Sequence, residues 1–178
     1  YAYERKEADV TDSDLITLTS GRYNDSATFN NFTPKVALDY QFTDSVMFYG
    51  SIAKAVKSGG FNTDTFGGRV PSANERTFDE ETSINYELGI KTSWFENRLT
   101  ANLATFLINW DDQIVRTLGE NQAALNDNAG ESSSKGFELE IAAKPAKNWD
   151  ITAGLTYTDA KYEKYTFETM SIVGLNPV

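Results

Sequence analysis

The sequence predicts an all-β chain: an antiparallel up-and-down meander of about seven or eight strands, forming part of a transmembrane β-barrel. Three observations carry this. Apolar and polar residues alternate with a period of two along several long stretches. The longest apolar runs, residues 46–49 and 104–108, fall far short of the roughly 18 residues a spanning helix requires. The connections between the alternating stretches sort into long and short ones in strict succession.

The clearest strand is residues 82–94. Ile84, Tyr86, Leu88, Ile90, Thr92 and Trp94 take one face, and Ser83, Asn85, Glu87, Gly89, Lys91 and Ser93 take the other. At about 3.3 Å per residue it reaches roughly 40 Å, enough when tilted by about 40° to cross an apolar band of about 25 Å.

In chain order, residues 1–7 read as the end of a strand and residues 9–32, rich in Asp, Ser, Asn and Thr, as a long polar loop holding at most a short strand over 15–18. Residues 34–42 and 46–56 form a hairpin across Thr43-Asp44-Ser45, opposing Phe42 with Val46, Tyr40 with Phe48 and Val36 with Ile52. A second long loop, 57–81, carries the breakers Gly59-Gly60, Gly67-Gly68 and Pro71. The two-residue turn Glu96-Asn97 joins 82–94 to 99–115, opposing Trp94 with Leu99, Thr92 with Ala101, Ile90 with Leu103 and Tyr86 with Leu107. Both faces are apolar from Leu103 to Trp110, which predicts a bulge or a change of environment near Phe106. Residues 116–131 read as a third long loop. Strands 135–144 and 148–158 then meet across Pro145-Ala146-Lys147, pairing Ala143 with Trp149 and Ile141 with Ile151.

Long connections (9–32, 57–81, 116–131) thus alternate with short ones (43–45, 96–97, 145–147), the layout of an outer-membrane barrel with long extracellular loops and short periplasmic turns. A β-sandwich has no reason to sort its loops by end. Phe42, Phe48, Trp94, Phe95 and Trp149 near the short turns, and Trp110, Tyr157, Tyr162 and Tyr165 near the far ends, would supply two interfacial girdles.

Composition excludes several functions. A net charge of -10 with scattered Lys and Arg argues against nucleic acid. With no cysteine and no histidine there is no disulfide, no thiol chemistry, no zinc site built on those ligands and no His-based triad. No catalytic residue, metal site or cofactor is expected. Glu138 and Glu140 stand at the spacing of a carboxylate pair, but i, i+2 carboxylates occur on any polar strand face. Asp9, Asp12, Asp14, Asp111 and Asp112 lack the spacing of a calcium loop and read as solvated charge. The absence of an initiating Met and of a signal segment suggests an internal piece of a longer protein.

Several phrases resemble the barrel of TonB-dependent outer-membrane receptors: residues 32–40, residues 48–62, Asn85-Tyr86-Glu87-Leu88-Gly89-Ile90-Lys91, Asn109-Trp110-Asp111-Asp112-Gln113, residues 135–140 and residues 157–162. The resemblance covers about residues 32–165 and implies a middle-to-late slice of a 22-stranded barrel in the cell outer membrane. It further implies partners this sequence lacks, namely the receptor's own plug domain with its TonB-contacting box, and beyond them the TonB complex. The lipid bilayer would be the other partner, and the cargo a scarce nutrient of the iron–siderophore, cobalamin or glycan class. Asn85, Glu87, Lys91, Glu138 and Glu140 would then face the lumen, as a hydrated path or as solvated wall charge pairing across strands. Ligand contact from this slice would fall in the two later loops, with Phe61, Asn62, Arg69, Arg116 and Asn121 as candidates. Two readings of another kind stay open: a self-contained eight-stranded barrel serving as anchor or adhesin, and a soluble β-sandwich binding module.

Overall fold

A computed structural model of the chain describes residues 2–14, 18–65, 69–119 and 123–165. All of its regular structure is strand: β1 (Ala2–Asp14), β2 (Thr19–Asn31), β3 (Lys35–Thr43), β4 (Val46–Lys57), β5 (Gly60–Phe61), β6 (Thr77–Phe78), β7 (Glu81–Trp94), β8 (Leu99–Leu118), β9 (Ala124–Ala143) and β10 (Ile151–Tyr165). Among the described residues no helix is long and apolar enough to cross a membrane.

Six strands form one antiparallel sheet in the order β10-β9-β8-β7-β4-β3, a meander in which β5 and β6 make a small ribbon inside the β4–β7 connection. The turn-derived registers agree with this at two hairpins. Trp94 opposes Leu99, Ile90 opposes Leu103 and Tyr86 opposes Leu107; Tyr40 opposes Phe48 and Val36 opposes Ile52. The expected Phe42–Val46 pair is replaced by Thr43 with Val46, because the ladder slips between Gln41 and Thr43. The Gln41 side-chain amide fills the irregularity, donating to the carbonyls of Thr43 (2.5 Å) and Val46 (3.3 Å).

At the third short turn the register differs by two. Ala143 opposes Ile151 and Ile141 opposes Ala153, so the connection runs from Lys144 to Asp150. Arg98, just beyond the neighbouring turn, donates to the carbonyls of Lys144 (3.1 Å) and Pro145 (2.8 Å), drawing that backbone away from the ladder. A shift of two leaves every side chain on its expected face.

The apolar face is exposed: Leu38 is 76% accessible and Leu88 67%, with Val36, Tyr40, Ile52, Tyr86, Leu155 and Tyr157 similarly open. From Trp94 to Ile84 the band runs about 33 Å along the strand, or about 25 Å once tilted. A face of this extent requires an apolar surrounding, and among the described residues no second sheet covers it, as a β-sandwich would require.

Residues 9–14 and 19–31 are strand and not an irregular loop. β1 and β2 pair without interruption from Ala2 with Asn31 to Asp14 with Thr19. The polar composition hides a sparse buried face of Ala8, Val10, Tyr23 and Phe29, and the main-chain ladder itself holds the rest. The proposed short strand over 15–18 falls mostly outside the described residues. Much of 116–131 is likewise paired, from Gln113 with Gly130 to Leu118 with Ala124. The bulge expected near Phe106 sits instead at Asp111-Asp112, between Trp110 and Gln113, where Asp112 takes a φ of 53°. Phe106 needs no bulge, because its ring covers Gly136 on the neighbouring strand.

Candidate functional site

Asn85, Glu87, Lys91, Glu138 and Glu140 share the face opposite the exposed apolar one, since Glu87 opposes Ser51 and Phe106, Lys91 opposes Met47 and Asn102, and Glu138 opposes Ala104 and Thr156. Tyr49, which sequence reasoning missed, organises part of this face. It stands opposite Gly89 and its ring fills the volume a side chain there would need. Its hydroxyl is hydrogen-bonded to Glu87, with Glu138 close enough to act on it electrostatically. The Lys91 ammonium lies 5.2 Å from the ring centroid, a cation–π distance. The signal available beforehand was parity: Tyr49 alternates with Phe48 and so belongs to the polar face. Asn85 differs from these, since its Oδ1 is buried without a hydrogen-bond partner.

The parity also separates the aromatic residues. Tyr157 lies on the apolar face, stacked on Phe137 at 5.8 Å. Trp110 opposes Ser83 and Ser132 and therefore belongs to the polar face, as does Tyr162 opposite Ser132. Tyr165 meets Tyr162 edge-on at 5.3 Å. The far girdle expected from Trp110, Tyr162 and Tyr165 is thus not on the apolar face.

The second group lies at the end remote from the short turns. Here the β4–β7 connection is held between ribbon β1–β2 and the paired upper half of β8 and β9. Asn62, 3% accessible, has every polar group engaged. Its amide nitrogen donates to the carbonyls of Glu75 (2.8 Å) and Asn126 (2.9 Å), and its Oδ1 accepts from the Asn126 N–H at 2.8 Å. Its own N–H donates to the Arg76 carbonyl at 2.9 Å, and its carbonyl accepts from the Tyr23 hydroxyl. The Asn62 amide therefore imitates the edge of a strand toward Asn126. Phe61 is half-buried against Ala8, Val10 and Tyr23. Arg116 is exposed and pairs with Asp64 at 2.5 Å; Arg69 is exposed; Asn121 lies outside the described residues.

Further ties flank Asn62. Lys6 donates to the Gly59 carbonyl at 2.6 Å, and Asn31 to the Ser58 hydroxyl at 2.6 Å. Asn128 and Asp79 exchange two hydrogen bonds, of 2.7 and 3.0 Å. The Ile114 N–H donates to Glu81 at 3.0 Å. Arg76 covers the Tyr23 ring at 4.9 Å. Burial of Tyr23 pushes its phenol above the usual 10.0, with Asp25 adding to the shift and Arg76 opposing it. Among the described residues no three carboxylates converge as a metal-holding group. The geometry described at this end braces the β4–β7 connection.

Residues 1–175 match the family described as TonB dependent receptor-like, beta-barrel. The chain is 28% identical over 156 residues to the metal-pseudopaline receptor CntO of Pseudomonas aeruginosa, covering 86% of this chain and 20% of that one. It is 26% identical over 151 residues to the probable TonB-dependent siderophore receptor PiuA of Acinetobacter baumannii, covering 84% and 20%. The ferric yersiniabactin uptake receptor FyuA of Yersinia pestis superposes with a TM-score of 0.63 at 25% identity, over 92% of this chain and 24% of that one. The ferripyoverdine receptor of the outer membrane of Pseudomonas aeruginosa superposes at 0.59 and 21% identity, over 83% and 20%. The chain thus spans about a fifth of the length of the curated relatives it matches.

Proposed function

This chain belongs to the TonB-dependent receptor-like β-barrel family, and from that premise we propose that it forms wall and outer loops of an outer-membrane transporter importing a siderophore–metal complex. The observation carrying the reading is the two-faced sheet, apolar and exposed on one side, with Glu87, Lys91, Glu138 and Glu140 on the other. Relatives named as receptors for metal-pseudopaline and for ferric pyoverdine support the cargo class over cobalamin or glycan. The short turns at 44–45, 95–98 and 144–150 face the periplasm in this reading, and the braced end faces outward.

The five polar-face residues line the hydrated interior beside the plug domain, and the TonB complex supplies the energy through that plug. Arg69, Arg116 and Asn121 are the contacts this segment offers to cargo, while Phe61 and Asn62 hold the loop that carries Arg69. No chemistry on the cargo is required, since transport needs a fitted surface and a path.

The experiment is uptake of radioiron by cells carrying the full-length receptor, supplied as ferric pyoverdine and as complexes of smaller siderophores. Deleting 62–76, or separately 119–123, should reduce uptake of the cargo while surface display persists. Undiminished uptake in both deletions would remove the outer loops from the reading and leave this segment as wall alone.

A further inference from the structure

The two ribbons at the braced end have no direct ladder between them, yet both are tied to one residue. Tyr23 of β2 reaches the Asn62 carbonyl, and Asn126 of β9 takes up the Asn62 side chain on both of its main-chain groups, at 2.8 and 2.9 Å. The loop's far strand closes on the same residue through Glu75 and Arg76. Glu75 also lies against the β8–β9 tip, where a Cβ on Gly119 would stand 2.8 Å from its Oε1. The Tyr23 bond is buried and the Asn62 side-chain bonds are partly so, and a buried polar group left without its partner is costly. Losing one partner of Asn62 therefore penalises the arrangement that holds the others.

From this we infer that ribbon β1–β2, the β4–β7 loop and the upper half of β8–β9 open as one unit, with Asn62 as the post that couples the two ribbons. The inference rests on contacts within the chain and holds whatever the cargo is. In functional terms the β4–β7 loop is not a free lid: any movement that admits cargo displaces both ribbons together.

The test is hydrogen exchange on the full-length receptor in detergent or vesicles. Tyr23→Phe removes one hydroxyl and keeps the ring. With coupling, exchange quickens by about tenfold over 20–26 and also over 124–128, on the far ribbon, while 84–92 is unchanged. Quickening confined to 20–26 and residue 62 would overturn the inference. Asn62→Ala should loosen both ribbons and the loop by at least the same factor. Asp64→Ala, which cuts only the exposed pair with Arg116, should leave both segments as they were; loosening by that variant would show that the tie runs through the surface pair and not through Asn62. If Asn62→Ala prevents insertion, the Tyr23→Phe comparison decides alone.

Discussion

The ring of Tyr49 occupies the space that a side chain at Gly89 would need: a Cβ there would stand 2.3 Å from its Cε1 and 2.6 Å from its hydroxyl oxygen. Gly89→Ala must therefore swing the ring off Glu87 and Lys91, at a cost of about 1–3 kcal/mol. Unfolding from lipid vesicles should show most of that loss disappearing in the Tyr49→Ala background, where the clash is absent. Gly136→Ala should cost more than Gly89→Ala, because its Cβ would meet the Tyr157 main-chain oxygen at 2.0 Å, and main chain within a ladder cannot turn away. Equal losses at the two glycines would contradict the distinction.

The facing of the sheet gives a second expectation. Ile90 and Leu139 stand in one cross-strand row with Phe48, Leu103 and Leu155, near the middle of the apolar band. Arginine at either site should destabilise the inserted protein by about 2–4 kcal/mol. Glu138→Gln, on the other face, should cost far less. Comparable losses from Leu139→Arg and Glu138→Gln in the same vesicles would reject the assignment of faces.

The parts legible in the sequence are those where one residue determines many others. Alternation from Ile84 to Trp94 fixes both faces of β7, and the tight turn after Trp94 fixes the β7–β8 register from Trp94–Leu99 up to Tyr86–Leu107. The ribbon over residues 2–31 was not legible, because Ala8, Val10, Tyr23 and Phe29 are too few apolar residues among turn-forming ones to declare a strand. The β9–β10 register missed by two because a side chain from another turn, Arg98, sets the length of the connection. Asn62 could be singled out only as a polar loop residue. Its role depends on Asn126, 64 positions away, and a contact with main chain leaves no trace in residue type.

Arg98 yields a prediction of its own. Removing its two hydrogen bonds to the 144–145 backbone should cost about 1 kcal/mol, these being exposed bonds from a charged donor. Hydrogen exchange should quicken at 144–150 and at the near end of β10, with β7 unaffected. Arg98→Lys should recover little, since a lysine ammonium cannot span both carbonyls with a planar fork. Full recovery with lysine would mean that charge, not geometry, holds the turn.

Tyr23 makes the braced end sensitive to alkali. Its phenol is buried at 4% accessibility, and burial raises its pKa above 10.0, the value it regains on unfolding. The neutral form is thus favoured in the folded state. Its contribution is fully present below pH 10.0 and is lost as the pH climbs from there through the raised folded value. Ionisation would also remove the proton that Tyr23 donates to the Asn62 carbonyl and leave two oxygens facing each other. Raising the pH through this window should therefore release ribbon β1–β2 together with the β4–β7 loop and the upper half of β8–β9, while the rest of the six-stranded sheet persists. The appearance of phenolate absorbance should coincide with quickened exchange over 20–26. In Tyr23→Phe the ribbon should already be looser at neutral pH, and its exchange, corrected for the intrinsic pH dependence of amides, should show no further step in alkali. A step of undiminished size in that variant would mean that another group drives the release.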